Sequence, residues 1–474
     1  MSAVPRRTRS YYAVGQIAEG VKNATFNLFL FFYYHQVLGL SGTATGLALF
    51  ITTSIDAVAD PLAGSISDRF RHRWGRRHPF IYASAIPLGV SFALLFRPPA
   101  GLSETGLFAW LLALTLAVRA SMSLFHVPHL ALGAELSDDY AERTVVVAWR
   151  SAAGLLGALF AVGCAWLIFF RATPEFANGQ LDPAAYPPLG LLYGAVILVA
   201  ILVSALGTHD RIPHLTQPAK QESFSVRGFL ADYASALANP SFRAFFLGVV
   251  VFFVMRGVQD VLGVHMSTYF WRLDPKEIAT LQLSAFPGLL LGIPLWTEVS
   301  RRTDKLPALL VGIACFCVCV LAPPLAALAG VFPAHESAAY LPLLLGTGFV
   351  AAVAATAGLV VAGSMLADVA DEHELTTGQR SEGILFAALS FAHKSTAGLG
   401  GLLAGVGLDW IAFPAQADPA DVSPESVRAL GMFYAPGVGV MALLTLSLLR
   451  GYRIDRARHA EIATALSERR AQEG

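Results

Sequence analysis

The chain has 474 residues, 55% of them hydrophobic and 14% charged, with a formal net charge of zero at pH 7. Its mean hydropathy of +0.58 exceeds what a soluble core can enclose, and apolar runs of about 20 residues, long enough to cross about 30 Å of hydrocarbon, recur between short polar breaks. The balanced charge speaks against nucleic acid, no glycine-rich phosphate loop is present for an ATP-driven pump, and no nucleophile with a base or full metal set marks an enzyme.

Arg6, Arg7 and Arg9 precede a first apolar run over residues 14–38. It is too long for a signal-peptide core and no small-residue cleavage site follows, so it reads as a retained helix. Further runs cover residues 43–66, 80–95, 107–132, 145–170 and 189–206, giving six spans. Residues 209–243 mix Pro213, Pro218, Lys220, Glu222 and Arg227 with a short amphipathic piece over 228–237, which reads as a connecting loop. Six more runs follow over 245–269, 281–296, 306–328, 340–366, 384–406 and 432–449. The expectation is an all-α polytopic membrane protein. An N-terminal six-helix bundle takes residues 1–208, a central loop 209–243, a C-terminal six-helix bundle 244–449 and a polar tail 450–474. Six plus six is the layout of the major facilitator fold.

Basic residues collect on one side: the N-terminal arginines, the five arginines between Arg69 and Arg77, the central loop, Arg301, Arg302, Lys305, Arg380 and the C-terminal tail. The positive-inside rule then puts both termini in the cytoplasm of a cell membrane, a bacterial inner membrane in this reading.

The second run holds Asp56 and Asp60, four residues apart and so on one helix face near the bilayer midplane. A charged carboxylate in hydrocarbon costs at least about 2.5 kcal/mol, which makes an intramembrane acid a functional hypothesis by default. Two like charges on successive turns call for a proton, a hard monovalent cation or a basic partner. A structural salt bridge with a cap before Pro61 is the other use of the pair. Lys394, deep in the eleventh run, is a candidate counter-charge; a lysine facing a wet cavity and attracting anionic substrate is the alternative.

The first run offers Glu19, Lys22, Asn23 and Asn27, with 19, 23 and 27 on one face. The fourth supplies Ser123, His126 and Pro128, whose missing N–H frees a backbone carbonyl. His126 and His129 lack a third zinc ligand, so His126 reads as a pH-sensitive substrate contact. Arg150 stands at the start of the fifth run. Arg256 and Asp260, four apart, are either a structural ion pair or part of the substrate path. Cys315, Cys317 and Cys319 point in different directions on a helix, and with Cys164 they read as small residues at helix contacts. Asp68 with the Arg73 to Arg77 loop, and Asp304, Asp368, Asp371 and Glu372 with Arg301 and Arg302, form a second charged constellation expected to close the inner side as a salt-bridge network.

The stretch Asp56-Ala57-Val58-Ala59-Asp60-Pro61, the loop Arg73-Trp74-Gly75-Arg76-Arg77, and the segment from Leu366-Ala367-Asp368-Val369-Ala370-Asp371 through Thr377-Gly378-Gln379-Arg380 to Lys394 resemble the glycoside-pentoside-hexuronide:cation symporters, the family of the bacterial melibiose carrier. The resemblance spans essentially the whole chain. It implies a major facilitator fold, alternating access, and a cation site on Asp56 and Asp60 with Lys394 nearby and Ser123 adjoining. Glu19, Lys22, Asn23 and His126 are expected substrate contacts from their own spacing and chemistry, and for Arg150, which either snorkels to the surface or points into the cavity, the resemblance favours the cavity and a substrate role. Two departures are visible. Gly20 and His126 stand where the sugar carrier has acids, and Ala59 replaces an amide oxygen ligand, which moves the expectation toward H⁺ without removing Na⁺. Phe125-His126-Val127-Pro128 resembles the lysolipid-carrying branch. The expected function is cation-coupled symport, H⁺ or Na⁺ with a small organic solute, a sugar or glycoside first, a lysophospholipid or other amphiphile as the alternative, and a non-transporting receptor behind both. No enzyme activity and no cofactor are expected. The expected partners are the solute, a monovalent cation and the lipid bilayer, with the protein a monomer.

Overall fold

Helix starts are written into the polar breaks. Ser41 accepts a hydrogen bond from the Ala44 amide, Ser103 from Gly106 and Asp139 from Glu142, each satisfying a donor that the first helical turn leaves free. The computed structural model describes residues 4–137, 139–214, 237–377 and 382–473. Most of the expected central loop, with its amphipathic piece, lies outside the described residues, as do Gly378, Gln379, Arg380 and Ser381.

The long helices run α1 Arg6–Thr25, α2 Gly42–Arg69, α3 His78–Leu95, α4 Glu104–Glu135, α5 Tyr140–Cys164, α6 Tyr186–Thr208, α7 Pro240–His265, α8 Pro275–Arg302, α9 Lys305–Leu328, α10 Tyr340–Thr377, α11 Glu382–Trp410 and α12 Pro424–Leu449. Among the described residues, nine helices are long and apolar enough to cross a membrane, and no strand occurs. Several helices overrun the apolar runs that announce them, because polar residues such as Asp68, Glu135 and Glu372 continue the helix where hydrocarbon is no longer needed. Residues 450–474, expected as a plain tail, include a thirteenth helix, α13 Arg456–Glu473. It exposes most of its polar residues and buries Ile462 and Leu466.

The C-terminal ends of α1, α5 and α7 widen into π turns over Phe26–Leu30 and Tyr33–Val37, Ala165–Phe169 and Met266–Phe270. Aromatic rings fill that end. Tyr34 donates to the Leu95 carbonyl at 2.8 Å and Tyr33 to the Phe96 carbonyl at 3.2 Å, supplying donors to the end of α3. Tyr186 stacks on Tyr33 with centroids 4.1 Å apart.

The chain divides into two compact units. The first comprises residues 1–223, 260–279 and 401–426. In it α1 packs on α5 and α6, α2 on α4, and α3 on α4 and α6. Small residues permit the approach. A Cβ placed on Gly20 of α1 would lie 2.1 Å from the Gly154 carbonyl oxygen of α5. At the start of α2, the Asp409 carboxylate accepts from the Gly42 amide at 2.9 Å and the Thr43 amide at 2.7 Å, and a Cβ on Gly405 would lie 2.0 Å from the Gly42 oxygen. The Tyr269 hydroxyl sits between Gln36 Oε1 (2.9 Å) and the Ala417 carbonyl (3.0 Å). The second unit comprises residues 224–259, 280–400 and 427–474. There α9 packs on α10, Trp296 of α8 donates to the Val353 carbonyl at 2.9 Å, and α13 lies against α10.

Candidate cation and substrate site

Positions 119 and 123 are one turn apart on α4, and α4 lies along α2, so both side chains reach Asp56. Ser123 Oγ donates to Asp56 Oδ1 at 2.9 Å, and Arg119 Nη1 donates to Oδ2 at 3.3 Å. Asp56 is 7% exposed and Ser123 3%. Asp60, one turn further along α2, is half-buried and adds its field to the one that holds Arg119. The guanidinium lies over the Phe26 ring at 5.7 Å, and the Lys22 ammonium approaches the same ring at 5.8 Å. Thr52 and Thr53 turn their hydroxyls back to the Leu49 carbonyl, as serine and threonine in helices commonly do.

Two turns of α1 carry the second cluster. His126 Nε2 is 3.0 Å from Glu19 Oε2, and Gln16 donates to the same carboxylate. Asn23 supplies another hydrogen bond to it, and Lys22 adds positive charge beside it. Glu19 and His126 keep 21% of their side chains exposed, while Asn23 and Asn27 are exposed outright. A polar face of this kind within a spanning helix lines water or solute rather than lipid. Arg150 stands against the Tyr12 hydroxyl. His129 is buried between Tyr12 and Phe125, with centroids 4.4 and 4.9 Å away, and bonds the Tyr12 carbonyl at 2.9 Å. Its packing role removes the paired use with His126. Among the described residues, no group of three or more metal-ligating side chains occurs.

The structure therefore brings Asp56 and Ser123 together, and Glu19, Lys22, Asn23 and His126 together. Lys394 is half-buried on α11 and belongs to the second unit. Arg256 lies over the Phe316 ring at 5.4 Å. The residue that sequence reasoning passed over is Arg119. Its signal was available, because an arginine inside the apolar run over 107–132 demands an acid by the same argument applied to Lys394.

The charged constellation at the helix ends bonds within each unit. Arg77 is paired with Asp68 at 2.5 Å and Glu135 at 3.0 Å and donates to Ser67 at 2.8 Å, while Arg76 reaches Glu135 at 2.8 Å. In the second unit Lys305 holds Asp368 at 2.7 Å, His459 bridges Asp368 and Asp371 at 3.3 and 3.5 Å, and Arg456 donates to the Arg301 and Thr303 carbonyls. Burial pushes the Tyr452 phenol up, with the adjacent Asp368 carboxylate adding to the effect. These bonds tie α2 to α4 and α9 to α10 and α13, bracing each unit at its helix ends.

Apolar helices long enough to span a membrane, with a buried acid–arginine pair and an exposed polar stripe in their midst, define a multi-pass carrier. The chain belongs to the MFS/sugar transport protein family, whose model matches residues 11–456, and this is the glycoside-pentoside-hexuronide symporter family anticipated above. It is thus a cation-coupled symporter of the major facilitator superfamily. It is 25% identical to the isoprimeverose transporter of Lactiplantibacillus pentosus, over 99% of this chain and 93% of that protein. It is 24% identical to the sodium-dependent lysophosphatidylcholine symporter 1 of Gallus gallus, over 97% and 89%. Among solved structures, a bacterial homologue of the human lysosomal transporter Spinster, inward-facing and unoccupied, matches with a TM-score of 0.62 and 15% identity, over 98% of this chain and 96% of that one.

Proposed function

We propose that the protein accumulates a small glycoside by cation symport with alternating access, from the outside to the cytoplasm that holds both termini. The observation that carries the substrate reading is the Glu19–His126 pair on a partly open polar face with Gln16 and Asn23 beside it. It offers carboxylate and amide oxygens and imidazole and amide N–H groups to hydroxyls, which is how polyhydroxylated solutes are oriented in otherwise apolar sites. The coupling cation acts at Asp56 and Asp60, and Lys394 serves the same coupling step from α11. The protein works as a monomer in the inner membrane and moves its solute unchanged.

A second reading has its own support. Gly20 takes the place of a sugar-holding acid, and the carbonyl of Gly154 leaves no room for any side chain there. With Phe125-His126-Val127-Pro128 and the likeness to the lysolipid symporter, this favours an amphiphile with a polar head. Proteoliposomes loaded against a pH or Na⁺ gradient and offered isoprimeverose and lysophosphatidylcholine in parallel distinguish the two. Accumulation of the glycoside, abolished by Glu19→Gln, supports the first reading. Accumulation of the lysolipid alone supports the second, and accumulation by Asp60→Asn at the wild-type level would sink the coupling site.

A further inference from the structure

We infer that Arg119 is the resident counter-cation of Asp56 and occupies the place a coupling Na⁺ would take, making this carrier indifferent to Na⁺. A Na⁺ ion in a protein needs several oxygen ligands gathered at one point, as hard cations do. At Asp56 both oxygens are engaged, one by Ser123 and one by Arg119, and Ala59 brings no side-chain oxygen.

Charge leads to the same place. Asp56 and Asp60 face the Arg119 guanidinium, and the Lys22 ammonium approaches the same Phe26 ring. Where a carboxylate pair is already balanced by side chains of its own bundle, an added metal cation would leave an uncompensated charge in a low-dielectric interior. Arg119 is not locked to Asp56. Its Nε is buried and makes no hydrogen bond, so the guanidinium is held through Nη1, by charge and by the Phe26 ring rather than by a bidentate fork. It can leave Asp56 when the carboxylate is neutralised. The inference rests on Asp56 as the coupling acid and narrows that reading: among monovalent cations it leaves the proton, which needs one lone pair and no coordination shell.

The test uses the purified full-length protein and NaCl against choline chloride at equal ionic strength, with thermal unfolding as the readout. Wild-type should show the same midpoint in both salts. Arg119→Ala should be less stable in choline and recover part of the loss in Na⁺, and Asp56→Asn in that background should abolish the recovery. Arg119→Lys, which keeps the charge, should remain insensitive to Na⁺; if the alanine variant does not fold, Arg119→Gln takes its place. An Asp56-dependent rise of the wild-type midpoint in Na⁺ overturns the inference, as does a folded Arg119→Ala or Arg119→Gln variant without any gain in Na⁺ response. In proteoliposomes, Na⁺-driven, Asp56-dependent uptake by wild-type overturns it while leaving symport intact. Uptake under neither gradient removes the symport reading and leaves the ion-binding result standing.

Discussion

Removing Arg77 while keeping its neighbour Arg76 measures what the helix-end brace contributes to the first unit. The Arg77 side chain is 6% exposed and Glu135 11%, with 3.0 Å between them. Two charges about 4 Å apart attract by about 4 kcal/mol at an effective dielectric of 20, before desolvation is subtracted. Truncating one partner of a buried pair ordinarily costs about 3–5 kcal/mol, because the other is left uncompensated. Here Glu135 retains Arg76 at 2.8 Å, and Asp68, 33% exposed, turns to water. Arg77→Ala should therefore cost about 2–3 kcal/mol, below the usual range for a buried pair. Glu135→Gln and the double variant complete a cycle whose coupling should be about 1–2 kcal/mol, the range for residues in direct contact. Unfolding in mixed dodecyl sulfate micelles supplies the free energies, and raising the salt should leave the coupling nearly intact, since buried pairs are weakly screened. A coupling below about 0.5 kcal/mol, within the additivity error of separate sites, would refute the account.

Two further substitutions probe the packing that carries the site. Asp409→Ala deletes the acceptor shared by the Gly42 and Thr43 amides and should cost about 1 kcal/mol, as lost helix caps do, with faster amide exchange confined to the first turn of α2. Gly20→Ala drives a methyl into the Gly154 carbonyl and should destabilise by at least the 1–3 kcal/mol typical of overpacking, visible as loss of a monodisperse peak in size-exclusion chromatography.

The spanning helices were legible in the sequence because hydrocarbon demands runs of apolar residues, and the runs over 107–132 and 306–328 fall inside α4 and α9. Their true ends were less legible, since apolarity reports membrane thickness and not helix length. α13 was missed for a related reason: its apolar residues are few, and docking against α10 and bonds from Arg456 and His459 hold it where hydropathy gives no signal. In the site, Asp56 stood out as a charge in an apolar run, and the Glu19, Lys22 and Asn23 cluster followed from helical spacing. The partnership of Glu19 with His126 and of Asp56 with Arg119 required knowing that α4 reaches both α1 and α2, a tertiary fact that periodicity within one helix does not contain.

The π turns at the ends of α1, α5 and α7 bear on how these helices tolerate insertions and deletions. Each wide turn closes its hydrogen bonds from i to i+5 and so holds one residue more than an α turn. Losing a residue from Phe26–Leu30 would let the helix re-form as α with about the same axial length, whereas losing one from the middle of α2 would rotate every later side chain by about 100°, carrying Asp60 away from the face it shares with Asp56. Length changes within these helices are therefore best absorbed at the aromatic end, and the charged middle must keep its register.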